Sequence, residues 1–134
     1  MAAIASYGIR TTVATPYAET IPRVVEALKQ QGFGVLTEID VAATLQEKIG
    51  VDFTKYIILG ACNPKVAHAT LQEELEIGLL LPCNVIVYEE PDTHATVVSA
   101  VDPERMLSIV DNPRLATRAS EVKAMLQKAI DSLA

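Results

Sequence analysis

The stretch from Tyr56 to Tyr88 constrains this chain most. It runs Tyr56-Ile57-Ile58-Leu59-Gly60-Ala61 into Cys62-Asn63-Pro64, continues as a helix, and returns through Ile77-Gly78-Leu79-Leu80-Leu81-Pro82-Cys83-Asn84-Val85-Ile86-Val87. Both cysteines, one of the two histidines and the longest unbroken apolar segments lie inside it. A strand that is apolar on both sides, as Tyr56 to Ala61 is, belongs at the centre of a sheet covered on each face, or meets another subunit with its second face. The run from Ile77 is too short to span a bilayer and is broken by Pro82, so it belongs in a core or at an interface.

At 134 residues the chain is expected to form one domain, 1–134, long enough to bury a single core. Half of its residues are apolar, which argues against disorder. The net charge of -6 is spread along the chain with no block of Lys or Arg, so neither nucleic acid nor an anionic membrane surface is an expected partner. Met1-Ala2-Ala3-Ile4-Ala5-Ser6 has neither a basic leader nor an apolar h-region, and the expected location is the cytoplasm, where thiols stay reduced. Two cysteines do not make a disulfide framework.

In chain order, Ser6 to Ala14 alternates as a strand with Tyr7, Ile9, Thr11 and Val13 on one face. Ile21, Val24, Val25 and Leu28 recur at helical spacing. The predicted helix has Pro22 in its first turn, Thr20 as cap and Gly32 as its end. A strand follows with Val35, Thr37 and Ile39 on one face and Leu36, Glu38 and Asp40 on the other. Leu45 and Ile49 are the expected buried pair of a short helix over Val41 to Gly50. Asn63-Pro64 opens a helix lined inwardly by Ala67, Leu71 and Leu75. Asn84 to Tyr88 is a strand, Pro91-Asp92-Thr93 a turn, and His94 to Val101 the returning strand of a hairpin. Asp102-Pro103 and Asn112-Pro113 repeat the cap-then-proline signal, and the last helix turns Leu115, Val122, Leu126, Ala129 and Leu133 inward. This order of elements points to layered helices on a mixed sheet.

Two readings of Cys62 stand side by side. Just ahead of the cap Asn63, the helix dipole and unpaired amides would favour a thiolate, and with it a reactive thiol or a soft-metal ligand. The same position also suits a staple packed on Ala67, and unpaired Cys is among the most buried residue types. Cys83, behind three leucines and Pro82, reads as core. If the intervening helix is a crossover between parallel strands, the two cysteines lie about 20 Å apart, and only an antiparallel arrangement brings them together. His68, on the helix after Cys62, is a weak further metal candidate, because the spacings are not those of zinc sites. Glu38 and Asp40 on one strand face suit an acid/base pair or a hard cation, or simply a solvated rim. His94 is expected to face solvent. There is no phosphate-cradling glycine loop, nucleophile elbow or H-E-x-x-H.

Three ordered stretches carry a family resemblance: Gly32-Phe33-Gly34-Val35-Leu36-Thr37-Glu38-Ile39-Asp40-Val41, Leu59-Gly60-Ala61-Cys62-Asn63-Pro64 and Gly78-Leu79-Leu80-Leu81-Pro82-Cys83-Asn84-Val85. They resemble the signature stretches of the domain of unknown function 302 family over nearly the whole chain. The resemblance implies an α+β fold: a single mixed, largely antiparallel curved sheet of about five strands with helices packed on it, similar to TATA-binding-protein-like domains, in a homodimer. It brings no established activity, the cofactor stays unknown, and the likeness to a DNA-binding fold does not carry DNA binding with it.

Together these readings predict a homodimeric binding or accessory domain holding a small molecule or soft metal ion near Cys62. Asn63, Glu38, Asp40, Cys83 and Asn84 are the other candidate ligand-binding residues. The alternatives are a thiol enzyme or redox protein with Cys62 as nucleophile and His68 as base, and a structural protein-interaction domain.

Overall fold

In the computed structural model, which describes residues 6–134, strands β1 (Gly8–Val13), β2 (Gly34–Asp40), β3 (Tyr56–Cys62), β4 (Cys83–Glu89) and β5 (Thr96–Val101) form one sheet in the order β1-β5-β4-β3-β2. Every neighbouring pair is antiparallel. The helices are α1 (Tyr17–Gln30), α2 (Val41–Ile49), α3 (Pro64–Glu73), α4 (Pro103–Leu107) and α5 (Arg114–Asp131), with a 3-10 segment at Leu75–Leu80. This is the expected α+β class, five strands with helices packed on them, but the open sheet is antiparallel throughout and not mixed. α3 is therefore not a parallel crossover: it and the 3-10 segment return the chain from β3 to an antiparallel β4.

Directly opposed residues of an antiparallel ladder point to the same face, so the register sorts the side chains. Ile9, Ala100, Val85 and Leu59 make one row across the sheet, and Val98, Val87 and Ile57 make the next. These rows meet Val24, Ala27 and Leu28 of α1 and Val122, Leu126, Ala129 and Ile130 of α5 in a single buried cluster. Each fully buried Leu or Val in it contributes about 1.5–3 kcal/mol of transfer free energy. The other face carries Ile39, Ile58 and Ile86 in one row and Tyr56 and Tyr88 in another, the two tyrosine rings stacked at 5.3 Å. That face is less covered: Ile58, Ile86, Tyr56 and Tyr88 are half-buried and Ile39 is exposed.

Several local expectations are corrected. α1 starts at Tyr17, so Pro22 lies inside the helix and Thr20 is not its cap. The carbonyl that Pro22 leaves without a donor is that of exposed Ala18, which faces water, so the proline is tolerated on the outer side. Thr20 is buried, and its hydroxyl donates to the carbonyls of Pro16 (2.9 Å) and Thr15 (3.1 Å). Gly32 does end the helix, at φ +86°: its amide donates to the Lys29 carbonyl and that of Phe33 to the Leu28 carbonyl, the paired bonds that close a helix through a left-handed residue.

In β2 the register shifts between Val35 and Thr37, so Val35 shares a face with Glu38 and Asp40, not with Thr37 and Ile39. A bulge of this kind spends one residue, here Leu36, and reverses the alternation beyond it. Ile49 and Leu75, read as inward, are exposed at 66% and 84%. Leu75 falls beyond the end of α3, in the 3-10 segment, so the helical periodicity no longer applies to it. Tyr7 precedes β1 and is exposed, whereas Ile9 is buried as expected. His94 faces solvent in the turn before β5, which begins at Thr96.

Candidate functional site

The pairing of β3 with β4 decides where the two cysteines go. Cys83 stands opposite Ala61 and Asn84 opposite Gly60, so Cys62 and Cys83 occupy the same end of adjacent strands. Both are free thiols, and both line one cleft of about 400 Å³. Cys83 is buried. Desolvation pushes its thiol up to about 11, and the neighbouring Cys62 adds to the rise, so Cys83 is protonated at neutral pH.

The cleft lies where the sheet end meets α3, α4 and α5. Ala61, Cys62 and Cys83 come from the strand ends, and Phe33 is delivered by the turn at Gly32. α3 contributes Val66, Ala67, Thr70 and Leu71, and the segment before β4 adds Ile77, Leu81 and Pro82. Met106 and Leu107 of α4 and Arg118 and Val122 of α5 complete the wall. The polar groups among these are few and mostly engaged. Thr70 donates to the Val66 carbonyl at 2.7 Å, and the Asn63 Oδ1 accepts the Val66 amide at 3.3 Å.

Asn63 fixes the local geometry. It caps α3 as expected, its Nδ2 faces the Met125 sulfur of α5 at 3.8 Å, and the same nitrogen would lie 3.1 Å from a Cβ placed on Gly32. One amide thus bonds the start of α3, faces Met125 of α5 and packs close to Gly32 just past the end of α1, beside the cleft.

Cys62, Asn63 and Cys83 therefore converge on the cleft. Asn84 does not: exposed on the opposite sheet face, it lines a separate groove with Tyr7, Tyr56 and Ile86. Glu38 and Asp40 are exposed on edge strand β2, and Asp40 is occupied as the cap of α2, its Oδ1 accepting the Ala43 amide at 2.9 Å. His68 is exposed on α3 and is not among the residues lining the cleft. Among the described residues no three His, Cys, Asp or Glu side chains gather where they could hold a metal ion. The sequence reading missed Arg118. Its signal is a basic residue three positions after Leu115 and four before Val122, on the edge of the apolar stripe of α5.

No helix of the described residues is long and apolar enough to cross a membrane. The family model for the domain of unknown function DUF302 matches residues 9–133, and the chain belongs to that family. A solved structure of an uncharacterized conserved DUF302 protein from Bacillus stearothermophilus superposes with a TM-score of 0.90 at 37% identity, covering 97% of this chain and 100% of that one. Fluoride-specific ion channel FluC 1 of Brucella suis is 35% identical over 92 residues, which are 67% of this chain and 35% of the channel protein. FluC 1 of Brucella abortus matches equally over 33% of its length, so the chain spans about a third of these relatives.

Proposed function

We propose that this DUF302 domain is a cytoplasmic, homodimeric binding module, one domain per chain, whose small-molecule ligand occupies the cleft beside Cys62-Asn63-Pro64. The observation that carries the reading is the cleft itself. Its volume of about 400 Å³ suits a small organic molecule, and its wall is built almost wholly from apolar side chains with a few polar groups at fixed points. Among the described residues a soft ion would find two thiols and the Met106 thioether there, with the Cys83 thiol pushed up to about 11 by burial and no group of three His, Cys, Asp or Glu side chains, which favours the organic ligand.

The dimer is supported by the apolar groups left on the surface. Leu75 and Leu79 are more than four-fifths exposed, and the sheet face bearing Ile39, Ile58 and Ile86 lacks the cover that the opposite face has. Two unpaired thiols fit a reducing compartment. The fluoride channels share part of their length with this chain, but a membrane-crossing helix is not among the described residues, so ion conduction is not carried over.

The experiment is titration with the neutral fluorescent probe N-phenyl-1-naphthylamine. Saturable binding at one site per chain is expected, abolished by Ala67→Phe, whose ring would fill the cleft. No binding, or equal binding by the variant, overturns the reading.

A further inference from the structure

We propose that the ligand is an amphiphile with a single anionic end, such as an acyl chain terminating in a carboxylate, and that the Arg118 guanidinium receives that end while the apolar wall receives the chain. The inference rests on the cleft being the binding site, and it adds the chemical class of the occupant.

Arg114 is held by Glu73 at 3.1 Å, and Lys123 is held by Asp102 at 3.0 Å and Glu104 at 2.9 Å. Arg118, between them, has as its ionic partner among the described residues only Glu121, at 3.9 Å and itself half-exposed. That distance is beyond a charge-assisted hydrogen bond, which lies at about 2.7–2.9 Å. Its two neighbours on the helix are thus engaged by close carboxylates, and the cation that lines the cleft is left with donors to spare.

Position adds to this. Leu115, Ala119, Val122 and Leu126 define the buried stripe of α5, and Arg118, half-buried, borders it on the side of the cleft. An apolar residue there would have enlarged the greasy wall, whereas arginine lays an aliphatic stem along it and holds a planar, always-charged fork at the rim. That fork matches a carboxylate through two parallel N–H donors. In a chain of net charge -6, a general attraction for anions is absent, so an anionic end would have to be recognised locally.

The test is calorimetric titration of the full chain with decanoate and with 1-decanol, each into wild type, Arg118→Gln and Arg118→Lys. Decanoate is expected to bind wild type about tenfold or more tightly than decanol, from one charged hydrogen-bonded contact. Arg118→Gln should lose that advantage while keeping decanol affinity, which also shows the variant to be folded, and Arg118→Lys should retain part of it. If decanol binds wild type as well as decanoate does, the anionic end is wrong and the cleft reading stands. If neither ligand binds wild type, both fail.

Discussion

Cys62 and Cys83 stand at the same end of neighbouring antiparallel strands, one residue out of register, because Cys83 pairs with Ala61. Their surroundings differ: Cys83 is buried with its thiol raised from 9.0 to about 11, while Cys62 is half-buried beside the α3 cap. A rise of that size lowers the thiolate fraction at pH 8 by about a hundredfold, and the thiolate is the reactive species. Cys83 should therefore be alkylated by iodoacetamide at least about a hundredfold more slowly in the native protein than in urea. Peptide mass mapping over time measures this, and equal rates in the two states would contradict the assigned burial.

Gly60 is pressed between two side chains. A Cβ there would collide with the Thr37 hydroxyl oxygen and lie 2.8 Å from the Pro82 ring, whereas a Cβ on Gly34 meets nothing within 4 Å. Gly60→Ala should cost about 1–3 kcal/mol in urea denaturation, as other forced insertions do, and Gly34→Ala should cost much less. Equal costs would mean that the Gly60 contacts yield freely.

Asp102 gives the acid limb of stability a named source. Burial pulls its carboxyl upward, but the Lys123 hydrogen bond and the amides of Arg105 and Glu104 outweigh it, and the group titrates below the usual carboxylate range. With a depressed folded value, the stabilisation is complete above the unfolded value of about 3.9 and is lost as pH falls through the folded one. Asp102→Asn keeps a competent cap. The stability difference between wild type and variant should be flat from about pH 5 to 7 and shrink below about pH 4. A difference independent of pH would remove Asp102 as the source.

Ile86 lies in the less covered row of the sheet, opposite Ile58 on the neighbouring strand. A lysine there places a charge in the face proposed to meet a second copy. Ile86→Lys should sediment as monomer where wild type sediments as dimer, with N-phenyl-1-naphthylamine binding intact. A wild-type protein that is monomeric at micromolar concentration would end the dimer proposal.

What the sequence revealed divides by range. Asn63-Pro64 and Asp102-Pro103 announce helices that begin there, because a cap and a proline act within one turn. Asn112-Pro113 is displaced by one residue: Pro113 precedes the helix, and Asn112 Oδ1 accepts the Arg114 amide at 3.1 Å. The start of α1 was hidden because a proline on a solvent-facing helix side looks locally like a first-turn proline. The β2 bulge was hidden because its cause is pairing with β3. Strand order decides whether the cysteines meet, and pairing between distant segments leaves no local mark. Cys62, Asn63 and Cys83 were legible as candidates but not as neighbours, and Arg118 becomes a candidate only once α5 is seen against the strand ends.

The claim that a small organic molecule occupies the cleft is tested most directly by nuclear Overhauser contacts between 1-decanol and methyl-labelled protein. Contacts to Val66, Ile77 and Val122, which wall the cleft, are predicted. Contacts confined to Ile58 and Ile86 on the other sheet face, or none at all, would contradict it.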